Sequence, residues 1–296
     1  MTLRAGIEYD AHEFVESSDG TRLFCGVRGE GEPTLVLNDG VGCDGFAWRY
    51  VHPYFGERHC VLHWHYRGHG RSGAPPDLES MTIEQLADDL LRVLDATGVE
   101  RGVLVGHSMG TQVSLELYRR APERVAGLVL VCGSYGHITR TFHGTDLLQQ
   151  ILPDIVRLVR GNVGAARALW GRIPAAMAFR VASLAGEVDA STIHFEDFEP
   201  YWQHVSAIGP DTFLTMLENA GEHSAKDLLP TIKVPTLIIA AERDTFTPPE
   251  LARSMAEEIP AAELFVLRGG SHAAVIEQPE AILLRLEKFL RERLEG

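Results

Sequence analysis

Residues 106–110 read GHSMG, inside the stretch 101–120, RGVLVGHSMGTQVSLELYRR, where an apolar run gives way to a helical pattern. A serine between two glycines at a strand-to-helix corner has a mechanical rationale. The serine takes a cramped backbone conformation so that its Oγ projects from the corner, and side chains two positions to either side would collide there. Gly106 and Gly110 remove those side chains. The amides that open the following helix point at the same spot and favour negative charge. Short Gly/Ser patterns also occur in ordinary turns, but the VLV run before this one and the helical run after it mark Ser108 as the candidate nucleophile.

A serine hydroxyl is a poor nucleophile unless a base takes its proton, and an acid must orient that base. On this kind of sheet the partners follow in the order serine, carboxylate, histidine, each just past the end of a later strand. Asp244 stands at the end of the apolar run in TLIIAAERDTFTPP, and His272 follows the next run in ELFVLRGGSHAAVIEQPEA, on a glycine-rich loop. Neither position was needed to find Ser108, so their agreement in order and placement is independent support.

The surrounding pattern supplies the sheet. HEFVESS and TRLFCGVRG flank Asp19-Gly20 and read as a hairpin. PTLVLNDG, HCVLHWHY, GVLVGHS, GLVLVCGS, PTLIIAAERD and AELFVLRGGSH are apolar throughout rather than alternating, as suits parallel strands buried on both faces. Helical runs lie between them. MTIEQLADDLLRVLDATG puts Ile83, Leu86, Leu90, Val93 and Leu94 on one stripe, with a Thr82/Gln85 capping box at its start and Gly98 at its stop. Alternating strand and helix predicts an α/β sheet covered on both faces. The alternation lapses over 134–230, where DLLQQILPDIVRLVRG, AARALWGRIPAAMAFRVASLAG and DTFLTMLENAGEH are helical and apolar. The expected organisation is a core of 1–133 and 231–296 with a helical cap inserted over 134–230.

GHSMG, IIAAERDTFTP, GGSHAAVIEQPEAI, HYRGHGRSG and KVPTLII together resemble the α/β-hydrolase superfamily, in particular its cap-bearing serine hydrolases of carboxylesterase and lipase type. The likeness spans nearly the whole chain outside the cap. It implies a mostly parallel eight-stranded sheet flanked by helices, with Ser108 as nucleophile, Asp244 as acid and His272 as base. It also implies an oxyanion hole from the backbone amides of Val41 and Met109. The activity implied is cleavage of a carboxylic ester or related acyl bond of a small, partly hydrophobic molecule, without cofactor or metal. Thioesterases, lactonases, C–C bond hydrolases and cofactor-free perhydrolases share the triad. A small-molecule receptor built on the same scaffold is the reading from outside enzymology. Epoxide hydrolases and haloalkane dehalogenases share the fold but need Asp where Ser108 stands.

Two positions depart from the pattern. Asn38-Asp39 precede Gly40 where the family usually has His-Gly, and His65 stands where Asp is usual. A carboxylate beside the oxyanion loop opposes a developing negative charge unless it is turned away, so Asp39 either bonds loop amides or meets a polar group of the substrate. His65 reads as part of a structural turn. His59, His63, His65 and His69 crowd one segment without an obvious paired carboxylate, and are read as packing or surface groups rather than metal ligands. His107 is expected to pack or hydrogen-bond behind Ser108. Asp39, Gly40, His107 and Trp202 are the candidate substrate contacts. In the cap, Phe179, Phe195, Phe198, Tyr201, Trp202, Phe213, Met177 and Met216 either line an apolar tunnel or fill the cap's own core.

Composition narrows the partners. Of 296 residues, 27 are Lys or Arg and 41 Asp or Glu, a net −14, which opposes nucleic-acid binding through phosphate neutralisation. The glycine-rich stretches match no phosphate or dinucleotide loop. No run approaches the roughly 20 apolar residues of a membrane span, and the amino-terminal MTLRAGIEYDAHEF lacks a leader pattern. Four scattered cysteines, Cys25, Cys43, Cys60 and Cys132, then read as reduced thiols of a cytoplasmic protein, monomeric or homodimeric.

Overall fold

In the computed structural model, which describes residues 6–295, eight strands form one sheet in the order β1-β2-β4-β3-β5-β6-β7-β8. They are β1 (Ala11–Glu16), β2 (Arg22–Arg28), β3 (Leu35–Asn38), β4 (Val61–Trp64), β5 (Gly102–His107), β6 (Val125–Val131), β7 (Thr236–Ala241) and β8 (Ala262–Leu267). β1 pairs antiparallel with β2, and β2 with β4; every other pairing is parallel. Residues 1–5, part of the expected core and of the segment read for a leader, lie outside the described residues, as does Gly296.

The continuous apolar runs of β3 to β7 have the cause expected of them, whereas β8, at the edge of the sheet, is only partly buried. In β3, Val36 faces one side with Leu104 of β5 and Ile238 of β7, while Leu35 and Leu37 face the other with Val103, Val105, Leu237 and Ile239. The first face is covered by α2 (Ile83–Ala96), α3 (Met109–Arg120) and α8 (Pro249–Glu258). The second is covered by α1 (Val51–Phe55), α9 (Ala274–Glu277) and α10 (Pro279–Arg293). Strands sandwiched in this way cannot alternate polar and apolar residues, since both faces leave water. Each fully buried Leu, Val or Ile contributes about 1.5–3 kcal/mol by that burial. α2 is capped at Thr82, whose Oγ1 accepts the Gln85 amide at 3.1 Å. The Gln85 side chain does not return the bond as a capping box requires; its Nε2 donates instead to Asp89 Oδ1 at 3.2 Å. Asp89 is the partner of the fully buried Arg67, and that pull outcompetes the cap.

Between β6 and β7 run α4 (Leu147–Gly161), α5 (Val163–Trp170), α6 (Ala175–Leu184) and α7 (Phe195–Glu222). α7 is kinked at Gly209, whose φ of 84° precedes Pro210. Its first half lies with α5 and α6, while Met216, Leu217 and Ala220 of the second half join the packing around α2 and α3. No helix among the described residues is long and apolar enough to cross a membrane.

Candidate active site

β5 ends at His107 and α3 begins at Met109, so Ser108 is the corner between them, with φ 54° and ψ −120°. Such a backbone is strained for a residue with a Cβ and persists because its surroundings fix it. A Cβ on Gly106 would meet the Gly110 carbonyl oxygen at 2.3 Å, and one on Gly110 would meet the Asn38 carbonyl oxygen at 2.1 Å. The glycines therefore make room for backbone, including that of neighbouring β3, rather than for one another's side chains.

Asp244 and His272 follow β7 and β8 and converge on this corner. The Ser108 hydroxyl donates to His272 Nε2 at 2.9 Å, and His272 Nδ1–H reaches Asp244 Oδ2 at 2.9 Å and Oδ1 at 3.1 Å. Asp244 is held by its own loop: Oδ1 accepts the amides of Phe246 and Thr247, and Oδ2 accepts the Thr247 hydroxyl. Burial opposes a charged imidazole, yet the Asp244 charge and hydrogen bond, with Glu187 and Glu277 beyond, hold His272 above the usual histidine value of 6.5. Glu277 ties the His272 loop down, its carboxylate accepting both the amide and the hydroxyl of Ser271 and also the Asp189 amide that follows α6. Glu277 lies within GGSHAAVIEQPEAI, but nothing in that string announces its role; Glu187, in the connection after α6 and outside any motif, gave no signal at all.

Gly40 lies against Ser108, where an added Cβ would stand 3.2 Å from Ser108 Cβ, and the next residue, Val41, lines the same cavity as the serine. Neither the Val41 nor the Met109 amide donates to a protein acceptor among the described residues. Both donors are therefore unspent among the described residues. His107 packs edge-on to Trp48 and donates Nε2–H to the His272 carbonyl at 3.2 Å. Burial and the adjacent His272 push it down to about 3, which leaves it a neutral support.

A cavity of about 560 Å³ opens over Ser108 and His272. Gly40, His107 and Trp202 line it, as do Met177, Phe198, Tyr201 and Phe213. Phe179, Phe195 and Met216 do not, and Met216 packs instead with α2 and α3, so these residues divide between lining and filling. Asp39 is corrected on both expectations. It is fully buried away from the cavity, and it bonds neither loop amides nor open space: Oδ2 meets His63 Nε2 at 2.9 Å, and Tyr9 Oη stands 2.6 Å from His63 Nδ1. The histidine-rich segment thus does have a paired carboxylate, contributed by the neighbouring strand end. Tyr66 Oη–H donates to the Asp39 carbonyl at 2.7 Å, which fixes the backbone just ahead of Gly40. His65 Nδ1 accepts the Arg71 amide at 2.7 Å within a turn. Cys43 lines the cavity and Cys132 is buried; all four cysteines are free.

Residues 33–279 match the model of the alpha/beta hydrolase fold family. The chain belongs to that family. Its hydrolase relatives include RutD of Azorhizobium caulinodans, named as a carbamate hydrolase, which is 32% identical over 91% of this chain and 95% of its own. A thermophilic esterase from Thermogutta terrifontis is 25% identical with a TM-score of 0.74, covering 95% of this chain and 98% of its own. Est816, described as an N-acyl homoserine lactone degrading enzyme, is 25% identical with a TM-score of 0.72, covering 94% of this chain and all of its own. The chain is a hydrolase of this family.

Proposed function

We propose that the protein cleaves a carboxylic ester, or a closely related acyl bond, of a small and partly hydrophobic molecule through an acyl-serine intermediate. The observation that carries this reading is the unbroken hydrogen-bonded line from Ser108 through His272 to Asp244. His272 takes the proton as Ser108 attacks the carbonyl and gives it to the leaving alcohol. Asp244 holds the imidazole tautomer and balances the charge that forms. The Val41 and Met109 amides receive the oxyanion, each contributing about 3–4 kcal/mol to lowering the barrier. Water deprotonated by His272 then releases the acid. No step calls on a metal or organic cofactor. The helices between β6 and β7 act as the cap of 134–230, excluding water and shaping the acyl or alcohol site.

The likeness to RutD favours a carbamate as a second reading, with a carbamoyl-serine formed and broken by the same groups. A panel of p-nitrophenyl esters from acetate to laurate, run beside a p-nitrophenyl carbamate, a thioester, an acyl homoserine lactone and a vinylogous diketone, separates these chemistries. Turnover of the esters at the highest kcat/KM supports the proposal. Clean activity on the diketone, with none on any acyl compound, overturns it. Absence of both turnover and fluorophosphonate labelling of Ser108 favours the receptor reading.

A further inference from the structure

The cavity over Ser108 is almost uniformly apolar, lined by Val41, Ile173, Val181, Phe198, Trp202 and Phe213 among others. Among the described residues lining it there is no Lys, Arg, Asn or Gln, and Glu187 supplies the only carboxylate. Glu187 is clamped between the two loops that carry the acid and the base. Its carbonyl oxygen stands 3.0 Å from the hydroxyl of Ser271, the residue before His272, and shares that proton with the Glu277 carboxylate. Its Oε1 accepts the hydroxyl of Thr245, the residue after Asp244, also at 3.0 Å, with His143 Nε2 at 3.3 Å. Oε2 has no hydrogen-bond partner in the protein among the described residues.

A carboxylate with one oxygen tied back and the other unpaired at an apolar cavity is a costly arrangement unless something supplies a donor. No side chain of the wall donates to Oε2 among the described residues. A ligand carrying a protonated amine, or a neutral O–H or N–H group, completes Oε2; a ligand carrying its own carboxylate sets like charges together where the dielectric is low. Building on the acyl-serine reading of this site, we propose that Glu187 is its specificity-determining residue. It selects substrates whose apolar body bears a hydrogen-bond-donating head group, a protonated amine best of all, and rejects those bearing a carboxylate. The selectivity is expressed in binding, since Glu187 is tied to the Asp244 and His272 loops through Thr245 and Ser271 and hydrogen-bonds neither catalytic side chain, while its charge acts on His272 alike for every substrate.

The test uses three ligands that share one apolar body: 4-phenylbutylamine, 4-phenylbutanol and 4-phenylbutyrate. Their affinities for the full chain and for Glu187→Gln are measured at pH 8 by titration calorimetry, with protection of Ser108 from a fluorophosphonate confirming the site. The wild type is expected to bind the amine at least tenfold more tightly than the carboxylate, with the alcohol between. Glu187→Gln should bring all three within about threefold, chiefly by weakening the amine and admitting the carboxylate. Retained alcohol binding, with an unchanged circular dichroism spectrum, shows that the variant is folded; Glu187→Leu provides the same comparison should the amide perturb the clamp. Equal binding of the three by the wild type, no binding of any, or an order that survives in both variants overturns the proposal. Because binding is read without turnover, preserved selectivity with no fluorophosphonate adduct would sink the acyl-serine reading alone, and an adduct without selectivity would sink this inference alone.

Discussion

The sheet and the helices inserted before β7 are built from similar apolar material under different rules. In the sheet, Leu104, Val105, Leu130 and Ile238 are at most 1% exposed, each pressed between strands and a covering helix. In the insertion, Leu158, Leu169, Val181 and Leu184 are 61–87% exposed, although their spacing is equally helical. Met177 and Val181 are exposed and also line the cavity, so these helices form a thin shell with water on one side and the active-site space on the other. A core residue has its role dictated by its neighbours on all sides. A shell residue shares its role between holding the helix in place and meeting a ligand, and its identity is correspondingly less constrained by packing.

The sharpest break between the two regions is chemical. Ser108→Ala at the β5–α3 corner should reduce kcat on the best p-nitrophenyl ester by on the order of 10⁴-fold or more, with an unaltered melting temperature. Trp202→Ala in the shell should instead act mainly on KM, by about tenfold, because it removes a wall and leaves the triad alone. Equal effects on kcat from both would erase the distinction. Asp244→Asn falls just below the serine, at about 10³–10⁴-fold, since it gives His272 the wrong tautomer while preserving shape.

Stability separates the regions next. Leu104→Ala should cost about 2–5 kcal/mol in denaturant unfolding, because β5 is covered on both sides and cannot collapse around the cavity. Leu158→Ser or Leu184→Ser should stay within about 0.5 kcal/mol, as exposed surface substitutions do. A cost above 2 kcal/mol at Leu184 would mean that the face is covered in solution.

The smallest effects are those of pH. His272 lies above the usual 6.5, so kcat/KM should fall on acidification through an inflection above that value, as the base gains its proton. An inflection below 6.5, or a flat profile from pH 5 to 8 with chemistry limiting, contradicts the base assignment. The core histidines run the other way. Burial pushes His52, His69 and His107 down to about 3 and His65 to about 2. The unfolded chain takes up protons below about 6.5 while these stay neutral when folded, so the unfolded state binds more protons there and stability drops as pH falls from 6.5 towards 3. The effect is read as a progressive shift of the denaturation midpoint towards lower denaturant as pH falls.

What could be read from the residues alone follows the same division. The eight strands, their common sheet and the meeting of residues 108, 244 and 272 were all legible, because buried strands and a strained corner restrict which residues are tolerated. Asp39 was misread because its partner, His63, is 24 positions away on the adjacent strand, and a buried pair across two strands leaves no local pattern. The Gln85 half of the capping box failed for the same reason, drawn off by the Arg67–Asp89 pair. Glu187 was invisible: a glutamate in a connection between helices looks solvated until the chain brings it against Ser271 and Thr245.

The proposed chemistry requires a reactive hydroxyl at position 108. Intact-protein mass spectrometry after treatment with a fluorophosphonate, followed by peptide mapping, reads it directly. One adduct per chain is expected, located on Ser108, lost in Ser108→Ala and strongly slowed in His272→Ala. Labelling at another residue, or none on a folded wild-type protein, would contradict it.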